Sequence, residues 1–307
     1  MKKQYPHILL EFSQFLACNK ASEATIKAYG YDLILFLEYM KARTLEIKNN
    51  HLENIVISDI DISFLSKILF PDILSYVHYI TKERNNGASA VARKISSLRT
   101  FYHYLVNEKR YLNTNPCKEL EIKNTGRKSP QYYQMEELQL FVKSISGHHA
   151  YRDKAIILLL LHCAIRLNEL IHIRFEDIDF DHGILTIHNQ KAEERKVPIN
   201  TQCEEALLSY IKEERPPCDI SYVFLSQRKK PISVRTVQHL IKVHENKLTS
   251  IKNGITSQKL RDTGARYMVE NENIDIIRFQ ELLGVKNIAS TEKYVQKSVD
   301  HIKKTLT

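Results

Sequence analysis

The chain has 307 residues, 43% hydrophobic and 26% charged, a composition typical of a globular protein with two domains rather than one compact core. Only eight glycines and eight prolines occur, which excludes collagen-like and low-complexity chains, and the longest apolar run, 155–161, is far too short to cross a bilayer. The formal net charge of +9 favours polyanionic partners such as nucleic acid without establishing one.

The five cysteines are scattered and form no CxxC pair; they are Cys18, Cys117, Cys163, Cys203 and Cys218. Zinc ribbons need paired cysteines, so this spacing instead indicates free thiols in a reducing compartment. We therefore expect a cytoplasmic protein with no membrane association and no metal site.

The first 112 residues carry helical patterns. Ser22 is a plausible N-cap for an apolar stripe that runs from Ile26 to Met40, and a second stripe spans 92–105. A turn signal, Asn-Asn-Gly at 85–87, separates them. The polar face of the second stripe holds three cations, Arg93, Lys94 and Arg99, which are candidates for DNA contact. Considered alone, such cations are as readily a solvated helix face.

The helical run ends at the Asn-Pro pair 115–116. A polar, basic stretch bounded by prolines follows, and it includes Arg127 and Lys128. Its composition predicts an interdomain linker over 113–130, whose two cations are further candidates for contact with a phosphate backbone.

After Pro130 two helical patterns, 135–144 and 152–173, lead into three short β-branched runs at 177–180, 184–187 and 196–199. Short runs separated by turns predict a small antiparallel sheet. From Thr201 the pattern is helical to the C-terminus. The predicted fold class is therefore mainly α with a small antiparallel β-sheet.

Three motifs in the second half carry a specific resemblance. Residues 161–170 (LHCAIRLNEL) end in Arg-x-x-Glu-Leu, residues 257–265 (SQKLRDTGA) contain Leu-Arg, and Leu-Gly at 283–284 precedes Tyr294 by ten residues. In this order and spacing they resemble the tyrosine recombinase (phage integrase) family and its Xer-like members, and the resemblance covers nearly the whole chain. It implies a helical core-binding domain at 1–112, a basic linker at 113–130 and a mixed α/β catalytic domain at 131–307, together forming a C-shaped clamp around DNA.

The resemblance also assigns roles. Arg166 and Arg261 would hold the phosphate oxygens that gain negative charge, since forked guanidinium donors suit this task better than the compact charge of lysine. Glu169 would orient Arg166, although as a bare feature it is also an i,i+3 pair. Tyr294 would be the nucleophile that forms a 3′-phosphotyrosyl link, a phenol that needs nearby cations or a base. No metal or cofactor is implied.

In the family, a lysine in the turn between two strands protonates the leaving 5′ oxygen. Lys191 takes this role best, with Lys196 as the alternative because the usual Gly-Lys-Gly frame is absent. Two further positions depart from the family pattern. Gln258 stands at the usual histidine of the second motif and Val285 at the usual histidine or tryptophan of the third. Glutamine donates a hydrogen bond but moves no proton, and valine does neither.

The function implied is site-specific recombination, in which DNA strands are cut and rejoined through a Holliday junction. The implied partners are a double-stranded DNA recombination site and three further copies of the chain, assembled as a tetramer on two sites. A second recombinase or an accessory protein is left open as a partner. An apolar stripe at 295–306 would dock on a neighbouring copy or fold back on its own domain. The alternatives are a DNA-binding accessory factor that no longer cuts and a topoisomerase-like relaxing enzyme.

Overall fold

The structure of the protein is a computed structural model. It describes residues 5–47, 49–120, 132–188, 194–248, 254–271 and 275–285. The chain divides into two compact units, residues 1–127 and 128–307. Each has its own hydrophobic core. No helix within the described ranges is long and apolar enough to cross a membrane.

The described part of the first unit contains helices and no strand. Its α-helices are α1 (His7–Cys18), α2 (Glu23–Thr44), α3 (Ile62–Ser66), α4 (Phe70–His78) and α5 (Ala88–His103). The predicted cap of α2 is confirmed, because the Ser22 hydroxyl accepts a hydrogen bond of 3.1 Å from the Thr25 amide. The second predicted stripe is confirmed as α5, which continues into one π-helical turn, Tyr104–Glu108.

The described start of the predicted linker packs against the first unit. Cys117 and Leu120 are both buried in the core of that unit, so its compact part extends beyond residue 112. Residues 121–130, with Arg127 and Lys128, lie outside the described residues.

The second unit is built around α7 (Ala150–His162), whose residues 155–161 are all buried. A helix that is apolar on all sides belongs inside a core, and α7 packs against both α9 (Thr201–Glu213) and α11 (Ser257–Asn271). The remaining helices are α6 (Met135–Lys143), α8 (Leu167–Leu170), α10 (Val234–Glu245) and α12 (Ile276–Leu283).

The predicted sheet is confirmed as an antiparallel meander of β1 (Ile178–Asp179), β2 (Ile184–His188) and β3 (Glu194–Pro198). Leu185 and Ile187 are buried on one face of β2, opposite Val197 and Arg195 of β3. Because side chains alternate along a strand, Arg195 points to the core side and Lys196 to the other side, where it is exposed.

Two details of the sequence prediction were wrong. The helical pattern at 152–173 is not one helix, because the chain breaks after α7 at Ala164, which has a left-handed φ of 46°. The chain is also not helical throughout from Thr201. Between α9 and α10 it makes antiparallel bridges, Arg174 with Tyr222 and Leu225 with Pro231, in a segment whose prolines oppose a helix.

Candidate active site

Arg166 is placed by the break between α7 and α8. It is the N-cap residue of α8, and its amide donates a 2.6 Å hydrogen bond to the Glu169 carboxylate three residues later. Its guanidinium donates to the same carboxylate at 2.9 Å. Glu169 therefore holds both the backbone and the side chain of Arg166, while 38% of that side chain stays exposed.

The Glu169 side chain, 9% exposed, lies among three arginines. Arg195 donates to both of its oxygens, at 2.9 and 2.7 Å, in addition to the bond from Arg166. Arg261 lies 3.9 Å from it. Burial alone raises the pKa of the Glu169 carboxyl, but the hydrogen bonds from Arg195 and Arg166 outweigh burial and hold the pKa below its ordinary value. Glu169 is thus an ionised carboxylate, and together with the three guanidinium groups it gives the cluster a net charge of +2.

The end of α12 meets the same cluster. Three successive backbone carbonyls each accept from a different arginine: residue 282 from Arg195 at 2.8 Å, residue 283 from Arg261 at 2.8 Å and residue 284 from Arg166 at 2.9 Å. The last carbonyls of a helix have no partner within the helix and carry its negative dipole end, so cations stabilise them.

Two glycines permit this approach. Gly284 ends α12 in the left-handed conformation at φ 61°, and a β-carbon there would lie 2.9 Å from a guanidinium nitrogen of Arg195. Gly264 lies in α11 where it crosses α7, and a β-carbon there would lie 1.6 Å from the Leu161 carbonyl oxygen. Since Arg261 is one turn earlier on α11, this close crossing brings Arg261 to the end of α7 that leads to Arg166.

The two positions that depart from the family pattern lie on these same elements. Gln258 is on α11, where its amide nitrogen donates a 3.1 Å hydrogen bond to Asp262. Val285 follows Gly284 and packs on a small apolar cluster of Ala164, Ala265, Met268, Phe279 and Leu283. Gln258 is therefore engaged with a neighbour on its own helix, and Val285 contributes packing.

Several predicted residues have no described placement. Lys191 and Tyr294 lie outside the described residues, as does the terminal stripe at 295–306. Lys196, the alternative to Lys191, is described, and it lies on the face of β3 opposite Arg195. This orientation favours Lys191 for the lysine role, which stays a prediction.

The three cations of α5 are bound within the first unit. Arg93 and Lys94 both pair with Asp32 of α2, a buried carboxylate, and Arg99 donates to the Leu120 carbonyl. Lys94 is 11% exposed and Arg93 43%. Arg93 therefore has the more accessible guanidinium, whereas the charge of Lys94 is used mainly inside the unit. Their contact with DNA stays a prediction.

Sequence reasoning missed Arg195. The family motif singles out a lysine in the turn before β3, and Arg195 belongs to none of the motifs. The alternation of β3 was the available signal, because a strand that buries Val197 also turns residue 195 towards the core. Within the described residues, no group of three His, Cys, Asp or Glu side chains is placed to hold a metal ion.

Comparison with known families identifies the class. The Phage integrase family model matches residues 131–301, and the model for the Phage integrase N-terminal SAM-like domain matches residues 9–109. The chain therefore belongs to the phage integrase family, the family of site-specific tyrosine recombinases.

Individual relatives agree with this assignment. Tyrosine recombinase XerC of Caldanaerobacter subterraneus subsp. tengcongensis is 38% identical over 296 residues, which cover 95% of this chain and 83% of the relative. Tyrosine recombinase XerC of Oceanobacillus iheyensis is 30% identical, with 95% and 92% covered.

Solved structures share the fold. XerH site-specific recombinase bound to a palindromic difH substrate has a TM-score of 0.71 at 19% identity, covering 94% of this chain and 80% of that one. A lambda integrase dimer bound to a COC′ core site has a TM-score of 0.68 at 16% identity, covering 94% and 93%. The mainly helical fold with one small antiparallel sheet is therefore that of the recombinases.

Proposed function

We propose that this chain cuts and rejoins DNA strands at a specific site through a covalent 3′-phosphotyrosyl intermediate and a Holliday junction. The observation that carries the proposal is the cluster in which Arg166 and Arg261 lie together around Glu169, with positive charge in excess. A phosphodiester under attack gains negative charge on its non-bridging oxygens. Forked donors that are already in place stabilise that charge without reorganising.

Arg166 and Arg261 differ in the exposed fraction of their side chains, so we assign them different contacts with the phosphate. Arg166 keeps 38% of its side chain exposed, so it can reach a phosphate on a bound duplex. Arg261 is only 6% exposed, and its position is fixed by the α12 carbonyl and by the α7 crossing. Arg166 then makes the outer contact to the phosphate and Arg261 the inner one.

In the covalent step, the assigned residues account for each bond that forms or breaks and for each proton that moves. The bond from the Tyr294 oxygen to phosphorus forms as the bond from phosphorus to the 5′ oxygen breaks, and Lys191 gives its proton to that 5′ oxygen. The Tyr294 proton passes to solvent, because Gln258 offers no basic atom to receive it. Rejoining runs the same step in reverse, with a free 5′ hydroxyl as the attacking group.

The partner in this proposal is a double-stranded DNA recombination site. Residues 1–112 act as the core-binding domain and 131–307 as the catalytic domain. Of the basic linker 113–130, the start packs on the core-binding domain through Cys117 and Leu120. Four copies assemble on two sites, and the segment after Tyr294 docks on the neighbouring copy. Support comes from the solved relatives, since XerH is bound to its difH substrate and lambda integrase is a dimer on a core site.

The test uses DNA selected for binding. A duplex pool with a random central segment is passed over the full chain, the retained site is identified, and a nicked suicide duplex of that site is incubated with the protein. The proposal predicts a covalent protein–DNA adduct, measured on a denaturing gel.

Variants then test whether adduct formation depends on the arginine cluster around Glu169. Arg166→Lys should lower the adduct rate at least tenfold with little change in DNA affinity, because lysine lacks the fork. Arg215→Lys is the matched control, since Arg215 also binds backbone carbonyls in this unit, those of residues 220, 222 and 223. Tight binding with no adduct from the unmodified chain would instead favour the DNA-binding accessory factor.

A further inference from the structure

We propose that Arg195 is a positioning residue, which holds the Glu169–Arg166 pair and the end of α12 in one fixed arrangement. Its guanidinium forms two bonds to the Glu169 carboxylate and one to the Leu282 carbonyl. Arg195 thus joins β3, α8 and α12 through a single guanidinium group, on a side chain that is 11% exposed. The inference rests on the proposed function, because it assigns a task within that site.

The contact with Glu169 supports this role. Glu169 faces three cations from three elements: Arg166 before α8, Arg195 on β3 and Arg261 on α11. Arg195 donates to both carboxylate oxygens from its side chain. A bidentate pair fixes the plane of a carboxylate as well as its distance. The plane of Glu169 in turn sets where the Arg166 guanidinium lies.

The contact with α12 supports it independently. The three arginines bind carbonyls 282, 283 and 284 in turn, and Arg195 is the one that is not assigned to the phosphate. Arg166 and Arg261 bind the phosphate through their other guanidinium donors, whereas the three hydrogen bonds described for Arg195 go to Glu169 and the helix end. The chain leaves α12 at Gly284, ten residues before Tyr294, so this contact fixes where the segment carrying the nucleophile begins.

The close packing of Gly284 on Arg195 points the same way. A β-carbon at 284 would lie within 3.2 Å of Nη1, Cζ and Cδ of Arg195, so the side chain packs closely against the helix end. A purely electrostatic contact would tolerate a looser approach. Arg195 therefore holds the end of α12 by close packing as well as by its hydrogen bond.

The experiment compares Arg195→Gln and Arg195→Lys with the matched control Arg215→Gln. The first readout is amide hydrogen exchange at Gly284 and Val285 in the DNA-free full chain, where both amides bond to carbonyls of α12. Arg195→Gln should speed this exchange at least tenfold. Arg215→Gln should leave it unchanged even if it lowers overall stability.

The second readout is the pH profile of adduct formation on the selected suicide duplex. Loss of Arg195 should lower the rate by roughly 10²-fold, the scale for a small misplacement of reacting groups. It should also move the acid limb to higher pH, because Glu169 loses bonds that hold its pKa down. Arg195→Lys keeps a positive charge and should restore the acid limb in part, while exchange at 284 and 285 stays fast.

The outcomes separate the two proposals. Unchanged exchange in Arg195→Gln overturns the positioning role, whatever the protein does to DNA. Faster exchange in Arg195→Gln, together with no adduct from the unmodified chain, supports the positioning role and overturns the proposed cleavage. An equal effect of Arg215→Gln on the acid limb would show general destabilisation and would overturn the positioning role.

Discussion

At the scale of single residues, Gln258 and Val285 stand where the family usually has histidine or tryptophan, and this difference affects the expected rate of DNA cleavage. A positioned acid or base is typically worth about 10²–10⁴-fold. Arg166 and Arg261 are assembled without the two usual histidines, so the cleavage chemistry should be slow but measurable.

Gln258→His should raise the cleavage rate because it restores a proton-transfer group beside Arg261 on α11. Val285→His should gain less, since an imidazole there would interrupt the apolar cluster formed with Phe279 and Leu283. Single-turnover adduct kinetics on the suicide duplex measure both variants, with thermal melting as the control for folding. A rate that both variants leave unchanged would show that the site has no place for a histidine.

Glu169 gives a prediction for stability against pH. Its pKa in the folded protein is lowered, so its contribution is present above the ordinary value of 4.5 and is lost as pH falls through the folded pKa. Glu169→Gln removes the carboxylate from three arginines, which should cost roughly 3–5 kcal/mol at neutral pH. Urea unfolding at pH 7 and at pH 3 to 4 measures the difference between the two proteins. That difference should shrink in acid, and a difference independent of pH would contradict the assignment.

At the scale of helices and strands, the crossing of α7 and α11 is the contact that brings the arginines together. Gly264→Ala should destabilise the protein by about 1–3 kcal/mol or more, because its β-carbon meets the Leu161 backbone rather than a movable side chain. Gly30→Ala is the matched control: Gly30 lies within α2 with nothing within 4 Å of an added β-carbon. That change should stabilise by about 0.5–1 kcal/mol. Thermal melting compares the two, and equal effects would contradict the crossing.

The same elements show what the sequence could and could not predict. Ser22 and the apolar spacing of α2 and α5 predicted those helices, because capping and periodicity are local properties. The three carbonyl contacts at the end of α12 were not predictable, since they join residues 22, 87 and 118 positions apart. The alternation of β3 indicates only that the Arg195 side chain faces the core; its partners, Glu169 and Leu282, are distant in sequence and no local pattern connects them to it.

At the scale of the whole molecule, the excess of positive charge predicts DNA binding that weakens steeply with salt. Each phosphate that the protein neutralises adds about 0.9 to the slope of log affinity against log salt concentration. Arg93→Gln should lower that slope by about one because Arg93 is the more exposed cation. Lys94→Gln should mainly reduce stability, because it leaves Asp32 with one buried partner fewer. Titrations at several salt concentrations measure the slope, and a slope near zero would contradict DNA binding by both units.

The central claim is that Tyr294 becomes covalently joined to the 3′ phosphate of the cut strand. The most direct measurement is to trap the adduct on the nicked duplex, digest both protein and DNA, and locate the phosphotyrosyl peptide by mass spectrometry. The account predicts the modification on Tyr294 alone. It predicts no adduct from Tyr294→Phe, which should still bind the DNA, and a normal adduct from Tyr151→Phe, a change at an exposed tyrosine of α7. A modified peptide from any other tyrosine, or an adduct that survives Tyr294→Phe, would contradict it.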